Sequence, residues 1–152
     1  MTDRERPTYD SFTPSMENPS GIGVSVVHSI EELMQVTAIR AATYMAEQDC
    51  PYDEEFDGND FSCTHLLGHV GESPAGCLRI RFFSSFAKIE RLAVVKSART
   101  TRLSSALIKA AIELCRKKGY RSIYGQSDEQ VVPLWKRHGF RPRTENLSLI
   151  HI

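Results

Sequence analysis

Apolar and polar positions change period along this chain, and the changes mark its elements. Val24, Val26 and Val27, just after Gly23, predict a first strand. Ile30, Leu33, Val36, Ile39 and Ala42 then keep helical spacing up to about Tyr44 or Met45, with Ser29 placed to cap the start and Glu31 and Glu32 in the first turn. An acidic loop follows, Asp53 to Asp60. Residues 64–70 predict a second strand and Glu72 to Gly76 a turn. Cys77 to Phe83 predicts a third strand, in which Leu78, Ile80 and Phe82 alternate with Arg79 and Arg81. After Ser84-Ser85, Ile89 to Val95 is apolar enough for a buried central strand.

At Leu103 the period changes again. Leu103, Ala106, Leu107, Ala110, Ala111, Leu114 and Cys115 form the stripe of an amphipathic helix, which Thr100 or Thr101 can cap and Gly119 can end. Tyr120 to Tyr124 predicts a strand, Val131 to Phe140 a late helix with Asp128 as its cap, and the tail Glu145 to Ile152 an edge strand. Antiparallel strands followed by strand, helix, strand, helix, strand describe a mixed α/β sheet. Residues 1–21, with Pro7, Pro14 and Pro19 and no period, predict a mobile arm before one domain over 22–152.

Between the central strand and the helix at Leu103 lies a turn that carries Arg99 and Arg102. Free N–H groups at a helix start, the helix dipole and two cations converge there, which suits phosphate. Cations are otherwise disfavoured at the positive end of a helix, so an anion between them is expected.

These segments also carry a resemblance. Leu92-Ala93-Val94 followed by Arg99-Thr100-Thr101-Arg102-Leu103-Ser104 resembles the acyl-CoA-binding segment of the GNAT N-acetyltransferases, a strand followed by Arg/Gln-x-x-Gly-x-Gly/Ala. Leu134-Trp135-Lys136-Arg137-His138-Gly139-Phe140 resembles the family's late Phe-Tyr-x-x-x-Gly-Phe. Glu47-Gln48 and Phe56-Asp57 ahead of the second strand resemble a bacterial subgroup. The likeness spans roughly residues 24 to 142 in the right order. It implies a three-layer fold with six to seven strands and about four helices. It also implies an acyltransferase that moves an acetyl or other acyl group from a CoA thioester to the primary amine of a small molecule or peptide.

By that resemblance, Leu92, Ala93 and Val94 hold the donor's pantetheine, residues 99 to 104 its pyrophosphate, and Trp135 stands near the leaving sulfur. Two positions depart from the pattern. Arg102 and Ser104 replace the glycines of the phosphate turn, and Trp135 replaces a tyrosine that acts as an acid, which an indole cannot do. A long-chain or carrier-protein-dependent acyltransferase, or a ligand-binding module without turnover, therefore stands beside the acetyltransferase reading. Glu90 is the candidate base, expected on the same strand face as Leu92, with an ion pair to Arg79 or Arg81 as the alternative. His65 on the neighbouring strand is the second candidate, against a structural histidine, and His138 is read as a capping residue.

Composition narrows the class. The chain has 152 residues, nineteen basic and nineteen acidic, and zero net charge argues against general nucleic-acid affinity. No apolar run approaches the ~20 residues that cross a bilayer, and the N-terminus lacks a signal-peptide core, so a cytoplasmic protein is expected. Cys50, Cys63, Cys77 and Cys115 are spaced too widely for a metal clip and read as reduced, small hydrophobes. The acidic loop lacks a glutamate at the twelfth calcium position, where Thr64 stands. No metal is expected, and the loop is either solvated or draws an amine inward. The edge strand of the tail offers a surface for a homodimer.

Overall fold

The computed structural model describes residues 21–143 and 148–151. Within them lies one seven-stranded sheet in the order β1 (Ile22–Val26), β2 (Thr64–Val70), β3 (Ser73–Phe82), β4 (Ala87–Val94), β5 (Ile123–Gln126), β7 (Ser148–His151) and β6 (Arg141–Pro142). Only β4 and β5 run parallel, because the connection between them is a helix, α3 (Leu103–Lys117), rather than a hairpin. The helix α1 (Ile30–Arg40) continues as wider π turns over Ala41–Glu47 and lies, with the short α2 (Tyr52–Glu55), on one face of the sheet. The opposite face carries α3 and α4 (Val132–Arg137), joined where Ser105 Oγ meets His138 Nε2 at 2.7 Å.

The α3 face is apolar. Leu66, Leu78, Ile80 and Ile89 meet Leu103, Leu107, Ile108 and Ala111 in one core. Small residues let the helix start sit close to the sheet: a Cβ at Gly68 would stand 2.6 Å from Leu103 Cδ1, and one at Gly76 3.0 Å from Leu103 Cδ2. The first turn of α3 is thereby fixed over the end of β4. At the other terminus Gly119, at φ +90°, takes the left-handed conformation that ends the helix. On α1 the expected cap is present. Ser29 Oγ accepts the Glu32 N–H at 3.1 Å, and the Glu32 carboxylate accepts the His28 N–H at 3.2 Å.

Several expectations shift. The turn expected at residues 72–76 is strand from Ser73, and Pro74 is tolerated because β2 and β3 slip register beside it, between Gly68 and His69. The strand expected at 120–124 begins at Ile123, since the Tyr120 N–H turns back to the Cys115 carbonyl and its ring packs on Phe82. The tail is not the edge. Its strand β7 pairs with β5 and β6, leaving β6 outermost. Of the arm expected over residues 1–21, all but Gly21 lies outside the described residues, as do 144–147 and 152.

Candidate active site between the parted central strands

The site follows from an irregularity in β4. Cys77 faces Ala93 and Arg79 faces Glu90, so Leu78 of β3 faces two residues, Arg91 and Leu92. Arg91 takes φ 57°, a left-handed conformation that costs a non-glycine residue ~1 kcal/mol or more. This bulge re-aims the strand. β4 pairs with β5 only from Ala87–Ile123 to Ile89–Gly125, and beyond that the two parallel strands part. A cleft of about 170 Å³ opens there, walled by Tyr44, Glu90, Arg91, Leu92, Gln126, Ser127, Asp128, Val131 and Trp135. Peptide groups of β4 past Ile89 that face β5 have no strand partner on that side.

The bulge also corrects one inference from period two. Glu90 and Leu92 do not share a face: Glu90 lies opposite Arg79 toward α1, whereas Leu92 packs against the α3-side core. Glu90 is 3% exposed, and its Oε1 accepts from Arg79 Nη2 at 2.7 Å, while Oε2 is 3.2 Å from Lys88 Nζ. Burial opposes its ionisation, but the charge and hydrogen bonds of Arg79, with Lys88, outweigh burial and hold the carboxyl below its ordinary value. A carboxylate so held is a poor proton acceptor near neutral pH. The geometry therefore gives Glu90 the ion-pair role that the sequence left open.

Arg79 belongs to a larger buried network. Its guanidinium also donates to Asp57 at 2.9 and 2.8 Å and to Asp60 at 3.1 Å. Arg40, equally buried, donates to Glu55 at 2.7 Å and to Asp60 at 2.5 Å. The acidic loop divides: Asp53, Glu54 and Gly58 are exposed and Asp57 accepts the Asn59 N–H at 3.1 Å as a turn residue, while Glu55, Asp57 and Asp60 clamp two arginines beneath it. Hydrogen bonds from Arg79 hold the Asp57 carboxyl well below the usual range. His65 sits under the same loop, outside the cleft wall, with Nε2 donating to the Asp60 carbonyl at 2.7 Å. Burial lowers its pKa, and Nδ1 is buried without a partner, as befits a structural histidine.

Sequence reasoning missed Tyr44. Its hydroxyl donates to the Leu92 carbonyl at 2.5 Å, across the cleft from Trp135, and burial pushes the phenol above its ordinary value. No local pattern signals this contact, which joins positions 48 apart in the chain. Trp135 is 1% exposed, edge-on to Phe140 at 4.9 Å, and seated on Gly125, where a Cβ would come within 3.0 Å of the indole. Asp128 precedes a 3₁₀ turn (Glu129–Val131) without a side-chain cap, leaving its carboxylate exposed on the cleft rim.

At the turn before α3, Arg102 rather than a threonine holds the cap position, exposed and at φ −91°. Thr101 helps from one residue earlier: its hydroxyl donates to the Ala98 carbonyl at 2.5 Å and accepts the Leu103 N–H at 3.3 Å. The N–H groups of Ser104 and Ser105 have no acceptor within a helix that starts at Leu103. Neither Arg102 nor Ser104 needs a glycine conformation, because neither has a positive φ. Arg99 leans back instead of standing free: Nε donates to the Val94 carbonyl at 3.0 Å, and Nη2 pairs with Glu47 at 2.8 Å, tying the turn to the end of the first helix.

Comparison with known proteins places this geometry. The model of the acetyltransferase (GNAT) family matches residues 28–140. YjcF of Bacillus subtilis, an uncharacterized N-acetyltransferase, is 30% identical over 115 residues, 76% of this chain and 82% of that protein. The crystal structure of Escherichia coli ElaA superposes with a TM-score of 0.77 at 22% identity, over 86% of this chain and 99% of the other. A GNAT family acetyltransferase from Elizabethkingia anophelis with acetyl-CoA bound gives a TM-score of 0.66 at 17% identity, over 82% and 78% of the two chains.

Proposed function

The chain belongs to the GNAT acetyltransferase family, and from that premise we propose that it moves an acetyl group from acetyl-CoA to a primary amine by direct attack in the cleft between β4 and β5. The observation that carries this reading is the parting of the two strands past Ile89 and Gly125. Backbone groups of Leu92 to Val94 on the open side would pair with the pantetheine amides, and an N–H there would polarise the thioester carbonyl as it becomes an oxyanion. The pyrophosphate would rest on the first turn of α3, where the Ser104 and Ser105 N–H groups, the helix dipole and the Arg102 guanidinium act together. Arg99 would hold the turn in place through Val94 and Glu47.

In the reaction the neutral amine attacks the thioester carbon, the carbon–sulfur bond breaks, the new amide sheds a proton to water, and the thiolate gains one. Trp135 cannot supply that proton. Tyr44 is the phenol on the cleft wall, kept protonated by burial; its hydroxyl would turn from the Leu92 carbonyl to donate its one hydrogen bond to the departing sulfur, while solvent completes the transfer. Glu90 is already neutralised by Arg79 and Lys88, so the exposed Asp128 is the cleft-wall carboxylate that would favour the approach of an ammonium group before it loses its proton.

Thiol release from acetyl-CoA over a broad amine panel tests the reading. Turnover with at least one primary amine is expected. Arg102→Ala should raise the KM for acetyl-CoA about tenfold, the scale of a hydrogen bond to a charged group. Tyr44→Phe should lower kcat about 100-fold with little change in that KM. Absence of thiol release with every amine and every acyl-CoA overturns it.

A further inference from the structure

A row of side chains runs across the sheet just below the cleft. Arg81 of β3 lies opposite Lys88 of β4, and Lys88 lies opposite Tyr124 of β5, so all three project from one face. It is the face of α1, because the neighbour of Lys88, Ile89, belongs to the core under α3. The side chains of Arg81 and Lys88 remain 29% and 31% exposed.

Charge along this row is not balanced. Glu90 stands 2.7 Å from Arg79, 3.2 Å from Lys88 and 3.7 Å from Arg81, one carboxylate shared by three cations. Asp57 and Asp60 complete the neutralisation of Arg79 but are not paired with the other two. Arg143 adds a further cation, with its guanidinium 4.9 Å above the Tyr124 ring, and Phe86 meets that ring edge-on at 5.2 Å. The row is also continuous with the cleft. Lys88 reaches Glu90, and Gln126 follows Tyr124 two residues along β5; Glu90 and Gln126 both line the opening.

We propose that the acceptor carries an anion, a carboxylate or a phosphate, beyond its amine, and that Lys88 and Arg81 receive it while the amine enters the cleft. This rests on the transferase reading above. The two ends of such a molecule meet opposite charges: the exposed Asp128 on the far rim faces the ammonium, and the unbalanced cations face the anion. Opposite charges at the two ends favour an ω-amino acid or amino phosphate over a plain amine, and they disfavour a diamine, whose second charge would meet Lys88 and Arg81.

Matched acceptors test this with the full chain and acetyl-CoA. 5-Aminopentanoate and 4-aminobutyl phosphate should each exceed pentylamine about tenfold in kcat/KM, and 1,5-diaminopentane should be poorest. The two anionic arms show which source the row prefers. Lys88→Glu should reverse the order of aminopentanoate and diamine, and Arg81→Glu should move it the same way. Equal or better use of pentylamine or the diamine by the unaltered protein overturns the proposal, as does a ratio untouched by both reversals. If no amine turns over, calorimetry on the CoA-loaded protein decides. Binding of 5-aminopentanoate that is lost in Lys88→Glu keeps the anion subsite while sinking the transferase reading, and no binding sinks the subsite as well.

Discussion

Leu107 and Arg79 are both fully buried on opposite faces of one sheet, yet different forces keep them there. Leu107 sits among apolar neighbours of α3, β2 and β3, where burial itself stabilises and the cost of change follows volume. Arg79 sits among Asp57, Asp60 and Glu90, where each charge is tolerable only because its partners are in place. The apolar face can lose a methyl group and settle. The charged face fails as a unit. Both faces meet at the cleft, the charged one through Glu90 and Arg91 and the apolar one through Leu92 and Trp135.

The contrast breaks first at Arg79. Arg79→Met leaves three carboxylates short of a partner and should cost about 3–5 kcal/mol in urea denaturation; a loss below ~1 kcal/mol would show that the network is dispensable. On the apolar side, Gly125→Ala sharpens the contrast, because the added Cβ must displace Trp135 at the cleft wall. A cost of about 1–3 kcal/mol is expected, together with a lower kcat.

Acid should separate the faces next. His65 has a folded pKa below its unfolded value, so the unfolded chain binds the extra proton and stability falls as pH drops below about 6.5. Asp57, Asp60 and Glu90 are depressed too; their contribution is whole above the usual carboxylate range near pH 4 and is lost as pH falls through their folded values. Melting temperature against pH should therefore decline in two stages, and His65→Gln should remove only the earlier. The smallest effect is local: Ser29→Ala should cost about 1 kcal/mol at the start of α1.

The apolar face was legible because period carries it. The Leu103, Leu107, Leu114 stripe, the Gly119 stop, the Ser29 cap and the strand at 64–70 each rest on residues close in sequence. The charged face was not. Arg79 alternates with Leu78 and Ile80 as an exposed residue would; its pairing with Glu90 was one of two readings, but Asp57 and Asp60, about twenty positions earlier, leave no signal beside it. The family likeness pointed to Leu92, Ala93 and Val94 for the donor, but the cleft beside them depends on a bulge that a strict period of two conceals, so Glu90 was placed on the wrong side of Leu92. Tyr44 and Arg91 escaped for the same reason: their partners are distant in the chain. β6 is only two residues long and leaves no pattern to read, which is why the tail was expected at the edge.

Hydrogen–deuterium exchange with and without acetyl-CoA tests the central claim most directly, because the proposed donor contacts are backbone groups. Added acetyl-CoA should slow exchange at Leu92 to Val94 and at Ser104 and Ser105, with β1 and β2 unchanged. Protection absent from both of those segments, or confined to the sheet edge at β1, would contradict the assignment of the parted strands as the donor site.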